Sequence, residues 1–169
     1  MGYVHDTAMV QFIPPNAFAY SAGTWTPTLA SNVFCMAKTA AADSPNIFIP
    51  ISLPGNSANF KGSYLTAIDV VWSNATADLT SVTTVELEKQ VIPANTVAQT
   101  ATAPTITIDT NNDSSAKRLT QAAHTMTVTL STPVWIGAGD AYYLYITVAA
   151  AAGSVLKVFG ARAYFTKRL

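Results

Sequence analysis

Glu86 and Glu88 are the two acidic residues whose types and spacing come nearest to chemistry in this sequence. Two residues apart on one strand, they share a face and could act as the carboxylate pair of a glycosidase. Lys89 follows directly, and a solvated or subunit-contacting strand face accounts for the same pattern. We therefore expect Glu86 and Glu88 to be surface carboxylates without a catalytic role.

The two histidines, His5 and His124, are the next candidates for chemistry. His5 stands beside Asp6, and such a pair suits a general base or a metal ligand. The sequence supplies no accompanying nucleophile motif, HExxH segment or CxxC pair. Cys35 is the single cysteine, so no intrachain disulfide can form, and its apolar neighbours indicate a small buried side chain. We expect no enzymatic activity and no cofactor.

Asp109, Asn111 and Asp113 have the alternate spacing of the first ligands in a calcium loop. The sixth position of that loop requires glycine but holds Ser114, and the twelfth requires glutamate but holds Thr120. A polar hairpin loop explains the segment more simply. Calcium bound by Asp109, Asn111 and Asp113 remains an alternative at this stage.

The elements that position these residues are β-strands. From His124 to Ser131, apolar residues take alternate positions with threonines between them, which is the period of a strand with one buried face. Pro, Gly and Asn separate similar segments. The pattern predicts strands at 29–37, 46–53, 64–73, 81–92, 105–109, 123–131, 142–149 and 155–166, with a possible helical turn at 116–123.

These segments predict an all-β fold: a single-domain antiparallel β-sandwich, jelly-roll-like, with about eight strands over residues 29–169. Residues 1–28 are expected to form an extended N-terminal arm, because Pro14 and Pro15 remove two backbone donors. The arm is rich in aromatic residues. It either lies across a partner or folds against its own sandwich, and both alternatives stay open. Pro50 places the strand at 46–53 at a sheet edge.

The composition is poor in charge. Hydrophobic residues make up 50% of the chain and charged residues 11%, against about 25% in typical globular proteins. Obligate interfaces are depleted in charge, so this composition favours a surface partly buried against other subunits. The nine basic and nine acidic residues balance, and no basic block suggests direct nucleic-acid binding.

No apolar segment is long enough for a membrane span, and residues 1–15 lack the features of a signal peptide. We expect synthesis in the cytoplasm, with a virion or extracellular assembly as the destination.

Four segments carry a resemblance when taken together: 5–9 with 13–15, 52–65, 126–135, and 158 to the C-terminus. They resemble a group of uncharacterised environmental proteins and are similar in style to small structural proteins of phage virions. The resemblance implies a non-enzymatic subunit of a phage-like virion, either a capsid shell or a capsid-decorating protein. Its partners would be copies of itself, with another capsid protein as a further candidate.

The expected subunit contacts are aromatic or apolar residues of the arm and of two C-terminal strands, with one arginine: Phe12, Ile13, Phe18, Tyr20, Tyr143, Tyr145, Arg162 and Tyr164. Tyr143 and Tyr145 stand in opposite phase to Tyr142, Leu144 and Ile146, so this strand is either buried on both faces or carries outward tyrosines. Outward tyrosines suit a protein interface or a sugar platform. Two alternatives therefore remain: a subunit of a helical tube or filament, and a carbohydrate-binding β-sandwich module.

Overall fold

The structure, a computed structural model, describes residues 6–51, 62–74, 79–91, 100–137 and 140–168. Strands account for most of the regular structure in those ranges: β1 (Asp6–Ile13), β2 (Ala19–Tyr20), β3 (Trp25–Ala30), β4 (Val33–Lys38), β5 (Asn46–Ile51), β6 (Gly62–Asn74), β7 (Leu79–Val91), β8 (Thr100–Thr102), β9 (Ile106–Ile108), β10 (Ala123–Trp135), β11 (Asp140–Ala150) and β12 (Leu156–Arg168). A 3-10 turn covers Pro15–Ala17, and a short helix, α1, covers Ser115–Arg118.

The strands form two antiparallel sheets that pack as a sandwich. The seven-stranded sheet has the order β3-β4-β12-β6-β10-β9, with β1 paired to β12, and the five-stranded sheet has the order β2-β5-β11-β7-β8. Eight strands form the centre of the two sheets, in the orders β4-β12-β6-β10 and β5-β11-β7-β8. If these eight strands are renumbered in chain order from one to eight, the two orders become 1-8-3-6 and 2-7-4-5. This is jelly-roll connectivity. The predicted jelly-roll-like sandwich is confirmed, and four further strands extend it.

Alternating side chains build the core between the sheets. In β11, Tyr142, Leu144, Ile146 and Val148 are buried, and the residues between them face outward. In β10, Met126, Val128 and Leu130 are buried in the same way. Full burial of one such side chain contributes about 1.5–3 kcal/mol, so the alternation itself holds the two sheets together.

The segment predicted as one strand at 29–37 is a hairpin. Ser31 and Asn32 have φ angles of 50° and 65°, and they join β3 to β4 with Ala30 opposite Val33. Two adjacent left-handed residues make the tight turn that matches the twist of paired strands. The prediction was wrong because Ser-Asn lacks the glycine that usually marks such a turn.

The described part of the N-terminal arm folds onto its own sandwich. β1 pairs with β12 from Asp6 opposite Arg168 to Ile13 opposite Ala161. Gly160, with a φ of 133°, permits this approach, since a Cβ there would lie 2.9 Å from the Ile13 carbonyl oxygen and from the Phe12 ring. Two alternatives were open for the arm, and the structure contains the one in which the arm folds against its own sandwich. The predicted boundary at residue 28 falls inside β3.

The strand predicted at 46–53 is not a free edge. β2 pairs with β5 through Ala19 opposite Phe48 and Tyr20 opposite Ile47. Pro50 lies beyond these two pairs, where its missing N–H costs no bond to β2. The end of the predicted strand, at 52–53, lies outside the described residues.

Candidate functional site

The outer face of the five-stranded sheet carries a cluster of three aromatic rings. Phe48 on β5 lies 5.9 Å from Tyr143 and 5.3 Å from Tyr145, both on β11, between ring centroids. The rings are inclined to Phe48 by 65° and 35°. All three are half-buried, so each keeps part of its ring open to the outside. We call Phe48, Tyr143 and Tyr145 the aromatic cluster.

The alternation of β11 and β5 places these rings outward. Tyr142 points into the core and is 3% exposed, whereas its neighbour Tyr143 points away from the core. Phe48 lies between the buried Ile47 and Ile49 in the same manner. The sequence left two alternatives for this strand, and the structure contains outward tyrosines over a buried inner face.

Register fixes the contact across strands. Tyr145 stands opposite Phe48, and the Tyr145 hydroxyl lies 3.3 Å from the Asn46 amide oxygen, to which it donates a hydrogen bond. Sequence analysis identified the two tyrosines but missed Phe48 and Asn46. The available signal was the phase of Phe48 between two isoleucines, which marks it as outward.

Glu86 and Glu88 stand on the other side of β11 from Phe48. On β7, Glu86 is opposite Tyr145 and Glu88 is opposite Tyr143. Glu86 is exposed and Glu88 half-buried, while Leu87 between them is fully buried. No ion pair or hydrogen bond joins either carboxylate to another residue in the described parts of the chain. The face therefore combines aromatic surface with two outward acceptor groups.

The remaining expected subunit contacts divide into buried and exposed residues. Ile13 and Phe18, at 4% and 6% exposure, lie in the core of the same chain, which corrects their assignment as contacts with a partner. Tyr20 stacks on Trp25 at 4.0 Å and donates to the Pro15 carbonyl, and burial raises the pKa of its hydroxyl. Phe12 is 62% exposed and stays available to a partner.

Arg162 and Tyr164 belong to a polar cluster on the outer face of the seven-stranded sheet. An Arg162 guanidinium nitrogen lies 2.9 Å from an oxygen of Asp69, and the Tyr164 hydroxyl donates to the same oxygen at 2.6 Å. Thr127 donates to the other Asp69 oxygen at 2.8 Å. The hydrogen bond to Asp69 raises the pKa of Tyr164. These groups satisfy one another within the chain.

His124 is a structural residue at the start of β10, where it pairs with Trp72 of β6. Its ring stacks on Trp72 at 4.9 Å, and its two nitrogens lie 3.3 Å from the Asn112 side-chain oxygen and 2.9 Å from the Thr120 carbonyl. Arg118, also buried, bonds to the Val82 and Asn112 carbonyl oxygens. His5 lies outside the described residues.

Two of the three candidate calcium ligands, Asp109 and Asp113, have partners for their side chains within the protein. Both carboxylate oxygens of Asp109 accept N–H groups, from Asn111, from the Asn112 side chain and from Thr127. These bonds lower the pKa of Asp109, although burial alone would raise it. Asp113 pairs with Lys117 at 2.8 Å. Within the described residues, no group of three or more His, Cys, Asp or Glu side chains is placed to hold a metal ion.

No protein-family model matches this chain, and no curated protein matches its sequence. None of the helices in the described ranges has the length and apolar character needed to cross a membrane. Among solved structures, the chain is similar to the carbohydrate-binding module TmCBM61, solved in complex with beta-1,4-galactotriose. The identity is 8% and the TM-score 0.38, over 96% of this chain and 88% of that chain. A likeness of this size carries no functional weight.

Proposed function

We propose that this protein is a non-catalytic β-sandwich that binds saccharides on the outer face of its five-stranded sheet. The observation that carries the proposal is the aromatic cluster with Glu86 and Glu88 in register beside it. Sugar rings present C–H patches that pack on aromatic faces and hydroxyl groups that donate to carboxylates. The face offers both kinds of partner side by side.

The geometry favours soluble chains over flat crystalline polysaccharide. The Tyr143 and Tyr145 rings are inclined to Phe48 by 65° and 35°, so the cluster does not present one flat platform. We propose binding without cleavage because Glu86 and Glu88 lie on one strand, on the same side of a bound chain. A glycosidase places its two carboxyl groups on either side of the scissile bond.

The test is a titration of the protein with soluble polysaccharides and oligosaccharides, read by calorimetry and by affinity electrophoresis. Wild type is compared with the double variant Tyr143→Ala/Tyr145→Ala. The matched control is Phe12→Ala, which removes an exposed ring from the other sheet. We expect binding by wild type and by the control, and at least tenfold weaker binding by the double variant, or about 1.4 kcal/mol. Equal binding by all three proteins, or none by wild type, would reject the proposal.

The second candidate is the structural subunit of a phage-like virion, acting by self-association as a capsid shell or capsid-decorating protein. The observation that favours it is a set of large apolar side chains left exposed on β1, β3 and β4: Val10, Phe12, Leu29, Val33 and Phe34, at 41–68% exposure. Exposed apolar side chains mark an interaction surface where they form a contiguous patch. A helical tube or filament built from the same contacts differs only in whether they close.

Light scattering of the purified protein, followed by negative-stain imaging, tests the second candidate. Large regular shells or tubes would support self-assembly, and a small closed oligomer would favour a decoration protein that needs a capsid lattice. The variant Val10→Ser/Phe12→Ser should reduce the assembled fraction, whereas Tyr143→Ala should not. A monomer that persists at high concentration would count against this candidate and leave saccharide binding as the proposal.

A further inference from the structure

The outer face of the five-stranded sheet carries charge of one sign. Among the described residues of its strands, the outward charged groups are Glu86 and Glu88. The other outward residues of β5 and β11 that register places beside them are uncharged, such as Asn46, Pro50 and Thr147. The aromatic cluster therefore lies next to two carboxylates, and the described strands of this sheet place no basic group beside it on that face.

Lys89 is the nearest base in the sequence, and it does not neutralise this face. It stands opposite Tyr142, whose side chain points inward, and its ammonium lies over the Tyr142 ring at 5.7 Å from the centroid. The same ammonium pairs with Asp140 at 2.9 Å, and the hydrogen bond to Asp140 raises the pKa of Lys89. The charge of Lys89 is thus paired with Asp140 and lies over the ring of the inward-pointing Tyr142.

We infer that this face selects saccharides by charge, so that a chain bearing protonated amino groups binds most tightly and a chain bearing sulfate or carboxylate groups binds least. The inference rests on the proposed saccharide binding and adds the class of ligand. Carboxylates beside the rings attract an ammonium group and repel an anionic one, while the rings contribute contact area to all of them. Aromatic rings also attract cations through their faces, which acts in the same direction.

The experiment uses one sugar backbone with three substituents on the same nitrogen: the tetramers of glucosamine, N-acetylglucosamine and N-sulfated glucosamine. Oligomers of galactose and of galacturonic acid form a second matched pair. We expect the glucosamine tetramer to bind at least about tenfold more tightly than the N-sulfated one at low ionic strength, with the acetylated chain between them, and the difference to shrink in salt. Galactose oligomers should likewise bind more tightly than galacturonate oligomers.

The variant Glu86→Gln/Glu88→Gln keeps the shape of the face and removes its charge. We expect it to bind the three tetramers with affinities within about threefold of one another, chiefly because it gains affinity for the sulfated chain. Asp113→Asn removes one acidic charge elsewhere, on an exposed residue paired with Lys117, and should leave the order unchanged. Circular dichroism confirms that the variants are folded.

The outcomes separate the two proposals. If no saccharide in either series binds wild type, saccharide binding fails and this inference fails with it. If saccharides bind but the anionic members bind as tightly as their neutral or cationic counterparts, saccharide binding stands and selection by charge is overturned. If the order is as expected but persists in Glu86→Gln/Glu88→Gln, the two carboxylates are not its source, and the inference is likewise overturned.

Discussion

The two outer faces of the sandwich treat acidic residues in opposite ways. On the seven-stranded sheet, Asp69 is 6% exposed, and its carboxylate accepts hydrogen bonds from Thr127, Arg162 and Tyr164. On the five-stranded sheet, Glu86 is exposed beside Tyr145, and no described residue pairs with its carboxylate. A carboxylate whose partners are supplied by the protein stabilises the fold, whereas one whose partners must come from outside is available to a ligand.

The difference follows from what surrounds each acid. Asp69 sits on β6, between β12 and β10, so both neighbouring strands can supply donors to it. The residue that register places opposite Glu86 is Tyr145, which offers no charged donor. Burial of a carboxylate without partners is costly, so Asp69 requires its cluster and Glu86 requires exposure. The first arrangement is a structural site, and the second is the one for which we propose ligand binding.

The largest effect is expected from Asp69→Ala. This variant leaves three donors without their acceptor. We expect the free energy of unfolding to fall by about 2–3 kcal/mol. The loss is not larger because the Arg162 guanidinium can reach solvent. Urea denaturation measures the loss. Saccharide binding on the opposite face should be unchanged. A stability equal to that of wild type would mean that the cluster contributes nothing to the fold.

Tyr145→Ala should show the opposite pattern. Removing this half-buried ring breaks the contact with Phe48 and the hydrogen bond to Asn46, with a cost of about 1 kcal/mol in stability. Saccharide affinity should fall by about tenfold or more, because the ring supplies contact area for the ligand. Tyr145→Phe is the control, since it keeps the ring and should keep most of the affinity. If the free energy of unfolding fell by more than the free energy of saccharide binding, Tyr145 would be a structural residue.

Tyr164 offers a pH-dependent test of the structural face. The hydrogen bond to Asp69 raises the pKa of Tyr164 above the ordinary value of 10.0, so the folded chain holds this proton more tightly than the unfolded chain. The stability that Tyr164 contributes is therefore fully present below about pH 10 and is lost as pH rises through the higher folded pKa.

Tyr164→Phe should lower stability at neutral pH by about 1 kcal/mol through the lost hydrogen bond. It should also flatten the decline in stability above about pH 10 relative to wild type. Thermal melts from neutral to alkaline pH measure both changes. A variant whose alkaline decline is as steep as that of wild type would show that other groups cause it; Tyr20 and Tyr142, whose pKa values burial raises, are the next candidates.

The smallest change in stability is expected from Glu86→Gln. Because its carboxylate is exposed and makes no pair with a described residue, we expect a change within about 0.5 kcal/mol. Urea denaturation beside Asp69→Asn gives the matched comparison, as both substitutions turn an acid into an amide of nearly the same shape. If Glu86→Gln lowered the free energy of unfolding as much as Asp69→Asn, the distinction between the two faces would be wrong.

Local pattern was sufficient for the fold class and for the phase of the tyrosines in β11, which left their exposure open. The period of two in strands such as β10 and β11 reports which residues face a core, and it depends only on neighbours in the sequence. The predicted strands other than 29–37 and the phase of Tyr143 against Tyr142 follow from that period, whereas the turns follow from Pro, Gly and Asn. The hairpin at Ser31 and Asn32 escaped prediction because its turn residues are not distinctive.

Contacts between distant strands were beyond the reach of local pattern. The hydrogen bond from Tyr145 to Asn46 joins residues 99 positions apart, and it exists because β11 pairs with β5 in one register. The same holds for burial of charge: Lys38 is 1% exposed because Asp43 meets it at 2.8 Å, and Arg118 is buried because the Val82 carbonyl accepts its bonds. The sequence pattern around Lys38 and Arg118 does not predict that either side chain is buried.

The sequence by itself determined which residues of a strand share a face, because strand geometry turns alternation into two faces. Only the tertiary structure decided which outward residues meet. It brought Phe48 to Tyr145, placed Glu86 opposite Tyr145 in register, and surrounded Asp69 with donors. The physical reason is that register and sheet order are properties of the whole packed chain, and a one-residue change of register would exchange the two faces of a strand.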